Sequence, residues 1–229
     1  MKKVSDRSYN SSMRKIHFSN EEIYHIYNRG TDKRVIFSDE FDFQRFIKSL
    51  EEFNAIDPIG SIYEHSFSKS KKESQLGNPV SKSEQLVEII AYCLNPNHYH
   101  LLLRQLAPNG ISKFMHRLGL GYTKYINNKE KRSGVLFQGQ FKAVHVNTNE
   151  YLLHLSVYIN LNNRVHKLGN RVSKSSWDEY IEKSENKEEE ICKKEVVLGQ
   201  FKNKSEYQMY TKSVLRGIQE RRLLADEKF

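Results

Sequence analysis

The sequence predicts an α+β chain: a small antiparallel sheet with helices on one face and a helical C-terminal extension. Three observations predict it. Strand-type and helix-type segments follow one another in the order βαββαβ, and a further helix comes after them. Two of the strands meet at an Asn-Pro-Asn turn short enough to make a hairpin. After Gly169 the composition turns from mixed apolar and polar to strongly charged.

Residues 1–21 are polar and are expected to be flexible. Ile23 to Arg29 is rich in β-branched and aromatic residues and stops at Gly30, which reads as a strand. Ser38 or Asp39 can cap the helix that follows, where Phe43, Phe46, Ile47, Leu50 and Phe53 recur at helical spacing. Residues 65–85, rich in Ser and Lys with an Asn78-Pro79 break, read as a polar loop. Leu86 to Cys93 is a near-continuous apolar run of strand length, and the turn at Asn95-Pro96-Asn97 leads into a second strand, His98 to Arg104. Residues 110–128 carry Phe114, Leu118, Tyr122 and Tyr125 on one helical stripe. Phe141 to Val146 alternates as a strand, and Asn149 is the expected cap of a helix containing Tyr151, Leu152, Leu155, Tyr158 and Ile159. The layout is ferredoxin-like or RRM-like, with one domain over 22–168 and the extension over 169–229. The Glu-Lys run at 182–195 reads as a solvated helix face without chemistry.

The chain has 229 residues, with 37 Lys and Arg against 28 Asp and Glu, a net charge of +9. That balance, together with 13 Tyr and 12 Phe, suits a protein that meets phosphates with cations and bases with aromatic rings. Ordinary solubility explains a basic surface equally well. The two cysteines, Cys93 and Cys192, lie far apart, which argues against a thiolate zinc site and suits a reducing compartment. The N-terminal stretch carries charge with no apolar run behind it, and no segment approaches the roughly 18 to 20 apolar residues of a membrane span. A cytoplasmic protein without a membrane partner is expected.

The chemistry centres on two histidines separated by one residue. On a strand, His98 and His100 project to the same face with Cα atoms roughly 6 to 7 Å apart. Imidazole is the commonest side-chain metal ligand, so the pair is half of a divalent-cation site, although two histidines at a core edge arise without any ligand. Tyr158 and Asn162 are four residues apart and share a helix face. A phenol can attack an electrophile covalently, and an amide oxygen one turn away is a hard ligand suited to Mg²⁺ or Mn²⁺. On the helix alone, the plainer reading is that Tyr158 is a packed aromatic and Asn162 a C-terminal cap. His154, one turn before Tyr158, is placed to orient the phenol or to sit at the surface, while His25 and His145 read as structural residues at the sheet edge.

The block Tyr92 to Leu103 resembles the "YC-x-MPNHxHLLL" signature of the insertion-sequence-200-like single-strand DNA tyrosine transposases, closest to their REP-associated branch. The resemblance continues through Tyr27-Asn28-Arg29-Gly30, Leu136 to Lys142, Tyr151-Leu152-Leu153 and Tyr158 to Asn162, in order, over roughly residues 22–168. It implies an HUH nuclease that cleaves and rejoins single-stranded DNA through a 5′-phosphotyrosine, at hairpin-forming repeats. In that scheme Tyr158 is the nucleophile, and His98, His100 and Asn162 hold a divalent metal ion, Mg²⁺ or Mn²⁺. Tyr99 packs on the opposite face, and no nucleotide cofactor is needed. Asn28, Arg29, Arg104 and Lys142 are the candidate DNA contacts, with single-stranded or hairpin DNA as the partner; monomer and homodimer both stay open. Lys113, Arg117 and Lys124 serve equally as DNA contacts or as solubilising charge; Tyr27 and Phe137 could stack on bases, but core packing is the plainer reading of each. The chain departs from the family pattern at Asn95 for Met, Gln140 for Arg, Asn160 for His and Asn163 for Pro. Two alternatives stand beside this reading: a rolling-circle-type nickase with the same chemistry, and a noncatalytic RRM-like nucleic-acid-binding protein.

Overall fold

The computed structural model describes residues 16–60, 62, 84–166, 168, 172–182 and 190–226, with side chains as far as Arg222 in the last helix. Most of the predicted 65–85 loop and residues 1–15 of the predicted flexible N-terminus lie outside the described residues. Residues 16–22 are held in place, with the Phe18 carbonyl accepting from Gln105 Nε2 at 3.1 Å and Ile16 and Phe18 packed on the core.

Strands β1 (Ile23–Arg29), β2 (Val87–Asn95), β3 (His98–Gln105), β4 (Lys142–His145) and β5 (Lys174–Ser175) form one five-stranded sheet in the order β4-β1-β3-β2-β5. All its pairings are antiparallel. The first four strands reproduce the predicted βαββαβ order, with α1 (Glu40–Glu52) and α2 (Gly110–Lys129) as its crossovers. Asp39, one of the two predicted caps, caps α1 by accepting from the Asp42 amide at 3.0 Å. Helix α3 (Asn149–Asn160) is capped by Thr148 in place of the expected Asn149: the Thr148 hydroxyl accepts from the Tyr151 amide at 3.1 Å. A hydroxyl in an extended residue just ahead of the helix is placed to reach that amide, whereas Asn149 is already helical.

Alternation along the strands divides the apolar residues between two cores. Tyr24, Ile26, Tyr99, Leu101 and Leu103 meet Phe43, Phe46, Phe114, Leu118 and Tyr122 of α1 and α2. Ile90, Ala91, Cys93 and Leu102 meet Leu152, Leu155 and Ile159 of α3 on the opposite face. A register shift between Ile89 and Ala91 lets two successive residues of β2 turn to that second core. The expectation of helices on one face therefore holds for α1 and α2 but not for α3. The apolar run in β2 is continuous, and a strand buried on both faces needs a cover on each.

The segment after 169 completes the second cover. Besides β5 it contains α5 (Trp177–Tyr180), α6 (Glu195–Leu198) and α7 (Lys204–Asp226), with α4 (Asn162–Val165) just before it. Tyr180, Val197 and Tyr207 are buried against the α3 core, and the Tyr180 hydroxyl donates to the Ile90 carbonyl at 2.8 Å. No described helix is long and apolar enough to cross a membrane.

Phe46 ties α1, α2 and β3 together, with its ring 4.9 Å from that of Tyr122, 5.1 Å from Phe37 and 5.3 Å from Tyr99. Phe46→Ala is expected to cost about 3–5 kcal/mol of stability, read as a lower urea midpoint at unchanged slope.

Candidate functional site

Cross-strand pairing builds the site. Residues directly opposite in an antiparallel pair share a face, so β1 and β3 bring Arg29 beside His98 and Tyr27 beside His100. Lys142 of β4 lies opposite Tyr27, and Cys93 of β2 opposite His100. The Tyr27 ring stacks on His25 at 5.0 Å and on His100 at 5.8 Å, and the Lys142 ammonium stands 6.0 Å from the Tyr27 ring centre. Tyr99, between the histidines, points the other way into the first core, 2% exposed.

His98 is held through both ring nitrogens and His100 through one. His98 Nδ1 lies 2.7 Å from Asn97 Oδ1, an acceptor, so Nδ1 carries the proton and Nε2 keeps its lone pair. That Nε2 is 2.9 Å from Asn95 Nδ2, a donor, which requires the same tautomer. His100 Nδ1 is 2.9 Å from His25 Nε2, a buried contact between two rings. One nitrogen donates and the other accepts. If His100 donates, its Nε2 is left free as a ligand atom. The two imidazoles of the pair stand perpendicular, with centres 5.2 Å apart.

The second face comes from α3 and α4. His154, Tyr158, Asn162 and His166 recur every four residues along the two helices, and backbone bonds from Leu161 to Val157 and from Val165 to Leu161 carry the turn across their junction. The stripe runs past the histidine pair. The half-buried Tyr158 ring meets His100 edge-to-face at 5.6 Å. Among the described residues its hydroxyl has no hydrogen-bond partner. Asn162 is fully buried and accepts from Asn95 Nδ2 at 2.6 Å, while its own Nδ2 is an orphan. His166 packs edge-on to His98 at 5.7 Å.

Burial lowers every one of these imidazoles. It pushes His25 down to about 4. It holds His100 well below the ordinary 6.5, with His25, His98 and His166 adding repulsion. It lowers His98 against the opposing effect of the Asn162 amide, and it lowers His154 and His166 with help from Arg221 and Arg222. All five rings are neutral at pH 7, the form that offers a lone pair to a cation. Among the described residues no three His, Cys, Asp or Glu side chains are placed to hold a metal ion by themselves. His98 Nε2 and Asn162 Oδ1 both accept from Asn95 Nδ2, so a ring nitrogen and an amide oxygen already converge on one donor, an arrangement that a divalent cation taking the place of that NH2 group would fit.

The predicted site residues thus fall into two groups. His98, His100, Tyr158 and Asn162 come together, and Arg29 and Lys142 lie on the same face. Arg29 is exposed, with its guanidinium bonded to Gln138. Asn28 and Arg104 stand apart. Asn28 pairs with Tyr99 across the strands, is 8% exposed and donates to the Gly139 carbonyl. Arg104 is six residues along β3 from His98, roughly 20 Å away, and pairs with Glu88 at 3.0 Å. Arg117 is bonded to the carbonyls of Ala55 and Ile56, Phe137 packs on the first core, and His145 pairs with Glu22 at 2.7 Å. Sequence reasoning missed His25, Asn95 and His166. The signal for Asn95 is a polar residue in an apolar strand; the others depend on register and helix phase. Asn160 lies off the site: it is fully buried, accepting from the Ser176 hydroxyl at 2.6 Å and bonded to the Tyr207 hydroxyl at 3.3 Å.

Fold and site together define an α+β protein of ferredoxin-like strand order, with a histidine pair on the sheet facing a tyrosine and an asparagine on a helix. Residues 63–163 match the family model described as Transposase IS200 like, the family that the motifs resemble. The matched segment contains His98, His100, Tyr158 and Asn162, and leaves out β1 and α7. No curated protein matches the chain. A solved structure, described as "Structure of the REP associates tyrosine transposase bound to a REP hairpin", is similar at 11% identity, covering 69% of this chain and 76% of that one with a TM-score of 0.45.

His25 takes a proton more readily unfolded than folded, so its contribution to stability is complete above its ordinary 6.5 and is lost as the pH falls towards about 4. Urea unfolding near pH 7 and near pH 4 is expected to differ by on the order of 3 kcal/mol from this group. In His25→Gln, which cannot titrate, that part of the pH dependence disappears.

Proposed function

We propose that the protein cleaves and rejoins single-stranded DNA at hairpin-forming repeats through a 5′-phosphodiester to Tyr158. In this reading His98, His100 and Asn162 hold a divalent cation, Mg²⁺ or Mn²⁺. One observation carries it: the Tyr158 hydroxyl, without a partner among the described residues, belongs to a ring seated on His100, while Asn162, one turn further on, is buried beside His98 with its amide nitrogen unpartnered. The match of 63–163 to the IS200-like transposases supports it independently.

The Tyr158 oxygen attacks the scissile phosphorus, the bond from phosphorus to the 3′ oxygen breaks, and that oxygen leaves as a hydroxyl after taking up a proton. The phenol proton passes to solvent, since no described base is bonded to the hydroxyl. A divalent cation held by His98, His100 and Asn162 would supply positive charge to offset that of the scissile phosphate. Asn97 fixes the tautomer of His98, and His25 holds Nδ1 of His100 and so orients that ring. Arg29 and Lys142, on the same sheet face, contact backbone phosphates. A second 3′-hydroxyl attacking the phosphotyrosine reverses the step and rejoins the strand, so the ester conserves the bond energy and no ATP is required.

The RRM-like alternative loses its main support in the fold. Such a binder stacks bases on an open sheet face, and here α3 covers that face. The nickase alternative shares the chemistry and differs only in biological setting.

Tyr158→Phe is expected to abolish the covalent adduct that a labelled hairpin oligonucleotide forms with the protein on a denaturing gel, while binding is retained. A persistent adduct refutes the nucleophile. His98→Ala is expected to lower Mn²⁺ affinity in calorimetry at least tenfold, and His25→Phe by roughly 10- to 100-fold through loss of the partner that orients His100. Unchanged affinity in His98→Ala removes the ligand assignment, and unchanged affinity in His25→Phe removes the orienting role.

A further inference from the structure

Helix α7 lies outside the segment matched to the transposase family, yet it closes on the stripe that carries Tyr158. Two consecutive arginines reach opposite ends of that stripe. Arg221 Nη2 is 3.4 Å from His154 Nε2, one turn before Tyr158. Arg222 Nη1 is 3.1 Å from His166 Nδ1, one turn beyond Asn162, and also donates to the Val165 carbonyl at 3.2 Å. A guanidinium is donor-only, so both ring nitrogens act as acceptors and neither histidine offsets the arginine charge. No carboxylate among the described residues pairs with either arginine, whereas Arg216, on the same helix, is paired with Glu220 at 2.9 Å. Both side chains are exposed and keep unused N–H groups.

We propose that Arg221 and Arg222 form a phosphate-binding clamp that holds a nucleic-acid strand on either side of the phosphodiester at Tyr158. The clamp rests on the reading of Tyr158 as the nucleophile of a single-strand-processing enzyme and extends it to the C-terminal helix. The two histidines act as positioning residues: neutral rings pin the guanidiniums in place and leave their charge uncancelled. Two fixed positive charges spaced along the stripe suit consecutive stretches of one backbone better than an isolated anion, and planar forks suit phosphate oxygens.

The test uses the full chain carrying Tyr158→Phe, so that no adduct forms, and a fluorescein-labelled oligodeoxythymidylate, with binding followed by anisotropy across a salt series. In this background Arg221→Gln with Arg222→Gln is expected to weaken binding and to reduce the slope of log K against log[salt] by about 1.4, two phosphate contacts at roughly 0.7 each. The double lysine variant keeps the charge but not the planar guanidinium, and is expected to keep most of the slope. A slope unchanged by the glutamine pair, or binding strengthened by it, overturns the clamp and leaves the catalytic reading intact. Lysine variants that behave like glutamine variants show a merely structural helix anchor and overturn it too. Failure of the parent protein to bind the oligonucleotide at low salt overturns both the clamp and the reading beneath it.

Discussion

The alternation of β3 is the constraint on which this molecule depends. Tyr99, Leu101 and Leu103 face the core under α1 and α2, so His98, His100 and Leu102 must face the other side. A slip of one residue would bury both imidazoles among the phenylalanines of the first core and turn Tyr99 towards α3. The central place of β3 in the sheet, between β1 and β2, locks that register from both sides. The site inherits its accuracy from the packing of three apolar residues that take no part in it.

Helix α3 supplies the second half under a similar constraint. Leu152, Leu155 and Ile159 are buried against β2 and β3, which sets the rotation of the helix. With that rotation set, the stripe from His154 through Tyr158 to Asn162 falls along the edge of the contact, where Tyr158 is half-buried beside His100. The C-terminal segment strengthens the arrangement from outside. Tyr207 meets Asn160 through its hydroxyl and Tyr180 reaches the Ile90 carbonyl, so the helix that carries the tyrosine is clamped between sheet and tail. Asn160 fits this role, since its amide bonds Ser176 and Tyr207 in a closed interior.

The electrostatics follow from burial. Four imidazoles, those of His25, His98, His100 and His166, pack against one another, and burial lowers each of them and His154 below the ordinary range. The positive charge of the region sits on Arg29, Lys142, Arg221 and Arg222 at its rim, in reach of solvent. A site with neutral ligands inside and cations around it suits a phosphate backbone approaching from outside.

Much of this was legible in one dimension because it rests on local periodicity. A period of two places His98 with His100, a spacing of four places Tyr158 with Asn162, and the segment order predicts a ferredoxin-like layout, which the sheet order β4-β1-β3-β2 realises. Those relations survive in any structure that keeps the strand a strand and the helix a helix. Other features needed the third dimension, because they join residues with no fixed spacing along the chain. The contact of His25 with His100 spans 75 positions and depends on strand register. The bond from Asn95 to Asn162 spans 67 and depends on where α3 docks. Arg104 reads as a cation near the histidines in sequence, but strand length carries it to the far end of the sheet and the side of Glu88. Local chemistry determined which groups this protein possesses; long-range packing of α3 and the C-terminal helix decided which of them meet, because only tertiary burial selects one register and one docking face among those the chain allows.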